Sequence, residues 1–136
     1  MSRFVLLFVL LFPACAFAEG LKVEPGQWEF TTVTPNPRGG APDRRTSSDC
    51  MREEEMKPQF FTAGMQGCTI SDTHAGESWM TWTIECPSSA GRTTGKGSFQ
   101  TSGTTISGWV EILMKVNGAN YSSKSSWEGR RTGMCN

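Results

Sequence analysis

The chain has 136 residues, with 13 basic and 13 acidic side chains, 37% apolar residues and five cysteines. That length suits one modest domain. The charge balance leaves no basic footprint for nucleic acid or an anionic membrane, and no cofactor motif is present.

At the N-terminus Arg3 precedes an unbroken apolar run from Phe4 to Phe12, then Pro13 and the triplet Ala16-Phe17-Ala18. This pattern predicts a secretory signal peptide over residues 1–18, because the run is too short for a membrane span and polar Glu19 follows the A-x-A site. Cys15 does not fit a lipoprotein signal, since Phe12 stands where such a signal has leucine. Cleavage would remove one basic residue, Arg3, leaving 12 against 13 acidic, and a single β domain over 19–136 without a transmembrane anchor.

Four cysteines remain in the exported chain, Cys50, Cys68, Cys86 and Cys135. An oxidising compartment and an even count predict two disulfides. A zinc site would bring its ligands in close pairs, which this spacing lacks.

In chain order, "QWEFTTVT" alternates with Trp28, Phe30 and Thr32 on one face and reads as the first strand. The Pro-, Gly- and charge-rich stretch 34–47 reads as an exposed loop. Ser48 or Asp49 can cap a short helix over 49–57, with Glu53–Glu55 in its early turns as a solvated face. Pro58 ends that helix or opens a second turn through Phe60 and Phe61.

"GCTISDTHAGESWMTWTIEC" reads as two strands about Ala75-Gly76-Glu77, with Met80, Trp82, Ile84 and Cys86 on one face and Cys68 and Ile70 matching them. The first choice of pairing is therefore Cys68–Cys86, which leaves Cys50–Cys135; the other pairings stay open. On this reading the thiol one residue from the chain end is an anchor for the last strand.

Three strands follow, joined at Ser102-Gly103 and Asn117-Gly118. If both turns hold two residues, Phe99 lies across from Ile106, Met114 lies across from Tyr121, and Gly108 sits between Gly97 and Trp127. Glycines beside a tryptophan suggest a ring lying flat on the backbone. The fold expected is mainly β: a curved antiparallel meander of about six strands, or half-open barrel, with one short helix and two disulfide staples.

"PGQWEF" near the start, Cys50-Met51, isolated Cys68 and Cys86, "GKGSF" and the closing "GRRTGMC" together resemble a family of small exported bacterial proteins, domain of unknown function 3617. The matching positions are Pro25, Gly26, Trp28, Glu29, Cys50, Met51, Gly129, Arg130, Gly133 and Cys135; Gln27 and Arg52 depart from the usual Leu and Thr. The resemblance implies export to the periplasm of a Gram-negative bacterium and paired cysteines, and carries no activity.

His74, the single histidine, falls beside a turn with no triad partner in its own strand. Met51, Met56 and Met65 could hold Cu(I) but are also ordinary core filler, so neither a catalytic residue nor a metal ligand is assigned. Of Arg130 and Arg131, one is expected in an ion pair with Glu29 or the acidic helix.

The inward set Trp28, Phe30, Gly97, Gly108, Ser125 and Trp127 either lines a cavity for a small apolar ligand or packs as core, and the chain's size favours packing. Trp79, Trp109 and Leu113 point outward and are the candidate partner surface. The function expected is a non-enzymatic exported module that binds a small apolar ligand or an envelope protein, as a monomer or weak dimer. The alternative is an envelope enzyme or accessory factor that uses His74 with carboxylates brought in by folding.

Overall fold

The computed structural model describes residues 20–62, 67–88 and 91–136. The predicted signal peptide and Met65 lie outside the described residues.

Among the described residues nine strands form in chain order: β1 (Leu21–Lys22), β2 (Gly26–Thr34), β3 (Asp43–Met51), β4 (Glu55–Met56), β5 (Thr69–Ala75), β6 (Trp79–Ser88), β7 (Gly91–Thr101), β8 (Thr105–Val116) and β9 (Ala119–Gly133). Seven make one antiparallel sheet in the order β3-β2-β9-β8-β7-β6-β5, and β1 pairs with β4 apart from it. From β5 to β9 each strand pairs with the next, and β2 then adds to the free side of β9. The sheet stays open, with β3 and β5 as its edges.

The helix expected over 49–57 is absent. Asp43–Met51 pairs instead along the whole of β2, so the exposed loop shrinks to residues 35–42 and the sheet gains a seventh strand. Tertiary pairing overrides a weak capping signal here: without β3 the backbone groups on one side of β2 would lack partners. Among the described residues the one helical element is a 3-10 turn at Pro58–Phe60, started by the proline, and it turns Phe60 and Phe61 back onto the sheet.

Alternation sorts the faces as predicted for β6, where Met80, Trp82, Ile84 and Cys86 are all buried. The core also takes Leu21, Val23, Trp28, Phe30, Met51, Met56, Phe99, Ile106 and Trp127. Met51 and Met56 are thus core filler, with exposures of 9% and 2%.

The sheet curls around Phe61. Its ring centroid lies 6.0 Å from Trp82 on β6, 5.2 Å from Phe99 on β7 and 4.2 Å from Trp127 on β9. In a flat sheet β6 and β9 would stand about 14 Å apart, three strand spacings, yet the Trp82 and Trp127 centroids are 6.5 Å apart.

Two-residue turns predict two registers. The Asn117-Gly118 turn holds, pairing Met114 with Tyr121 and Gly108 with Trp127. The Ser102-Gly103 turn is longer: Thr101 pairs with Ile106, so Phe99 lies across from Gly108, and Gly97 from Val110. Hydroxyls explain the extension, since Thr101 Oγ1 donates to the Thr105 carbonyl at 3.0 Å and accepts from the Gly103 amide at 3.0 Å.

Glycine seats the rings, with a different assignment from the one expected. A Cβ on Gly97 would overlap Cζ2 and Cε2 of Trp82, and one on Gly108 would stand 2.6 Å from Cζ2 of Trp127. Gly97→Ala is therefore expected to cost about 1–3 kcal/mol by overpacking, read as a lower urea midpoint. Gly133→Ala, where a Cβ meets nothing within 4 Å, is the control.

Candidate functional site

Two disulfides brace the sheet. Cys50 is bonded to Cys135 and Cys68 to Cys86, with sequence separations of 85 and 18. Thr69 pairs with Glu85, which puts Cys68 and Cys86 directly opposite at the open end of the β5–β6 hairpin. The terminal cystine joins β3 to the residues after β9 across the start of β2, with a Cα–Cα distance of 5.5 Å.

The residues that carried the family resemblance converge at this same corner. Arg130 donates to Glu29 Oε1 through Nε and Nη2 at 3.1 and 2.8 Å, and Arg131 Nε donates to the Pro25 carbonyl at 2.8 Å. Gly26 has φ +150°, and the Gly133 carbonyl occupies the space where a side chain would stand. Trp28 Nε1 donates to the Glu24 carbonyl at 3.0 Å, and Gly129 leaves room for the Phe30 ring. The two terminal motifs are therefore halves of one β2–β9 joint, which accounts for them by structure alone.

On the inner face the structure separates the predicted cavity residues. Trp28 is fully buried and Phe30 is 6% exposed, so both pack in the core, and Phe30 also borders a small opening. Trp127 and Gly108 pack together, whereas Gly97 packs against Trp82, a residue the sequence placed on the correct face without linking it to the site. A small opening of 220 Å³ reaches this cluster, between Phe30, Phe60, Phe61 and Trp127 on one side and Ser47 and Asp49 on the other.

Ser125 lies beyond the rings, half-buried, with its hydroxyl 3.1 Å from that of Thr34. Beyond it the inner face continues without aromatic cover. Val110 and Ile112 are half-buried, and Met114, Val116 and Tyr121 are 39%, 37% and 56% exposed. No sequence signal separated these positions from the core ones, because the alternation is unbroken along β8.

The outward residues do not form one patch. Trp79 is 47% exposed on β6, and Trp109 on β8 carries the Lys124 ammonium 4.2 Å from its ring centroid. A charged row, Lys96-Glu111-Lys124, crosses the outer face between Trp109 and Leu113.

A depression of 630 Å³ is also on the outer face, where the Glu29–Arg130 pair and the side chains of Thr31, Gln100 and Ser107 line it. Arg130 is already paired with Glu29 there, and Glu128 adds a second carboxylate to the lining. His74 lies exposed on edge strand β5, beside a bulge at which Asp72 has φ 47°. It shares a shallow depression with Asp72, Thr81, Thr83 and Lys96. Among the described residues no group of three or more His, Cys, Asp or Glu is placed to hold a metal ion, and no helix is long and apolar enough to cross a membrane.

No curated protein and no solved structure matches the chain. Residues 23–135 match the model of the family described as protein of unknown function (DUF3617), so the chain that joins its two terminal motifs across β2 and β9 belongs to that family.

Proposed function

We propose that this is an exported, non-enzymatic domain of the Gram-negative periplasm that holds a small apolar ligand against the inner face of its sheet. One observation carries the reading. The inner face is filled by the chain's own rings at one end, while at the other end Met114, Val116 and Tyr121 continue the same apolar row in the open. Leaving such side chains in water forfeits about 25 cal/mol for each Å² that a ligand would cover, and a site of this kind is concave and apolar with few polar groups.

Export is supported by the leader-like sequence of residues 1–18 and by two cystines, a bond type that persists in oxidising compartments. Binding is favoured over catalysis by the placement of His74, which is exposed on an edge strand where water reaches any reacting atom.

The test is a titration with 1-N-phenylnaphthylamine, whose fluorescence rises in apolar surroundings. Saturable binding is expected, about tenfold weaker in the double variant Met114→Asp, Val116→Asp. Both sites are exposed, so the fold should survive, as checked by circular dichroism. Absence of binding, or equal binding by the folded variant, overturns the reading.

A further inference from the structure

The two edges of the main sheet differ. Edge strand β5 is interrupted by the bulge between Ser71 and His74, where Asp72 takes φ 47°, and a bulge twists an edge away from further pairing. β3 has no such break. Its nine residues pair with β2 from Gly26↔Met51 to Thr34↔Asp43 without a shift in register, and it holds neither proline nor lysine. Residues 43–50 are exposed, and among the described residues no backbone hydrogen bond is made on the side turned from β2. The backbone accounting that drew β3 onto β2 thus leaves a second row of donors and acceptors open to another strand.

The charges on β3 choose what fits there. Cross-strand neighbours share a face of a sheet, so a second copy of β3 added antiparallel pairs odd residues with odd and even with even, about a two-fold axis through one residue. An axis at Arg45 sets that arginine against itself, an axis at Asp49 does the same to the aspartate, and an axis at Thr46 sets Asp43 against Asp49. An axis at Ser48 opposes no two charges within the strand. An axis at Ser47 sets Arg45 against Asp49 at both ends, and since Ser47 is the midpoint of β3 all nine residues pair. Opposite charges directly across a ladder stabilise it and like charges destabilise it. Charges usually blunt an edge, but these are complementary to their own copy in one register.

The side chains leave room for this. Arg45, Ser47 and Asp49 lie across from Thr32, Phe30 and Trp28 and so share the inner face. Arg45 Nε donates to Asp43 Oδ2 at 2.8 Å, with both side chains mostly exposed, and a guanidinium has donors to spare for a second carboxylate. On the outer face Thr46 would meet Ser48, whose Oγ accepts from Gln27 Nε2 at 2.8 Å and keeps its O–H to donate.

We infer that a second copy of this chain docks antiparallel on β3 about a two-fold axis at Ser47, joining two seven-stranded sheets into one. About eight to ten backbone hydrogen bonds form along the ladder, and each Arg45 is shared between its own Asp43 and the partner's Asp49. The small opening bordered by Ser47 and Asp49 lies at this seam, so the openings of the two copies adjoin. The interface stands apart from the ligand reading. A ladder one strand wide buries less than a standard interface, which sets the affinity in the micromolar range.

Sedimentation velocity of the mature protein with both cystines intact should show the mass rising from one chain toward two between about 10 μM and 1 mM. Arg45→Asp or Asp49→Arg sets like charges opposite each other at both ends and should weaken the dimer at least about tenfold. The double variant Arg45→Asp, Asp49→Arg restores opposite charges and should recover it. Ser47→Cys should cross-link two copies in air, because residues paired across a ladder stand about 4.5–5.5 Å apart at Cα, within reach of a disulfide. Thr46→Cys should not, because its two copies stand diagonally, about 7–8 Å apart.

A wild type that stays monomeric at about 1 mM overturns the inference. So does a dimer that the single charge reversals leave unchanged, that the double variant does not restore, or that cross-links through Thr46→Cys in preference to Ser47→Cys. The substituted positions are exposed, and circular dichroism checks each fold. If a charge variant does not fold, the wild-type masses and the two cross-linking variants decide.

Discussion

Serine at both Cys50 and Cys135 should lower the unfolding free energy by about 4–5 kcal/mol. A closed loop of 85 positions removes that much chain entropy from the unfolded state. A domain of this size holds about 5–15 kcal/mol in all, so the variant should melt at least ~10 °C lower. The same exchange at Cys68 and Cys86 closes a separation of only 18 and should cost nearer ~3 kcal/mol. Calorimetry of both variants checks the order. A smaller loss at Cys50–Cys135 than at Cys68–Cys86 would mean that the β2–β9 joint holds the chain end without its cystine. The joint has the means to try, since the Glu29–Arg130 pair and the Arg131 contact to Pro25 lie beside it. Arg130 stands at the surface, where such a pair contributes about 1 kcal/mol or less.

Trp28→Ala is expected to cost about 3–5 kcal/mol. The ring has no exposed surface and stacks on Phe30 at a centroid distance of 6.0 Å. Its removal opens a hole that β2, paired on both sides, has little freedom to close. Trp79→Ala, at a ring 47% exposed, should stay below ~1 kcal/mol. Urea midpoints measure both, and loss of the near-ultraviolet dichroism band in Trp28→Ala would locate the damage in ring packing. Asp49 faces Trp28 and adjoins Cys50, so the tryptophan and cystine effects share neighbours and should not add. A loss under ~1 kcal/mol at Trp28 would show that the corner does not depend on this ring.

The bonds that set the frame were legible in the linear chain. Alternation placed Met80, Trp82, Ile84 and Cys86 on one face, which brought Cys68 within reach of Cys86. A turn as strict as Asn117-Gly118 set the β8–β9 register, because few backbones satisfy it: Asn117 and Gly118 both take positive φ, at 51° and 80°.

Other features came only with the folded molecule. β3 is polar along nearly its whole length and exposed on the sheet edge, so no hydrophobic period announces it. Its pairing is decided by the open side of β2, and that override removed the predicted helix. The β7–β8 register turned on hydroxyl bonds from Thr101, which composition does not specify. Which glycine seats which ring follows from that register by steric fit across strands. Local sequence thus determined periods, turns and cystine reach, whereas the tertiary structure alone decided where the inner face is closed and where it is open, since packing between distant strands has no local signature.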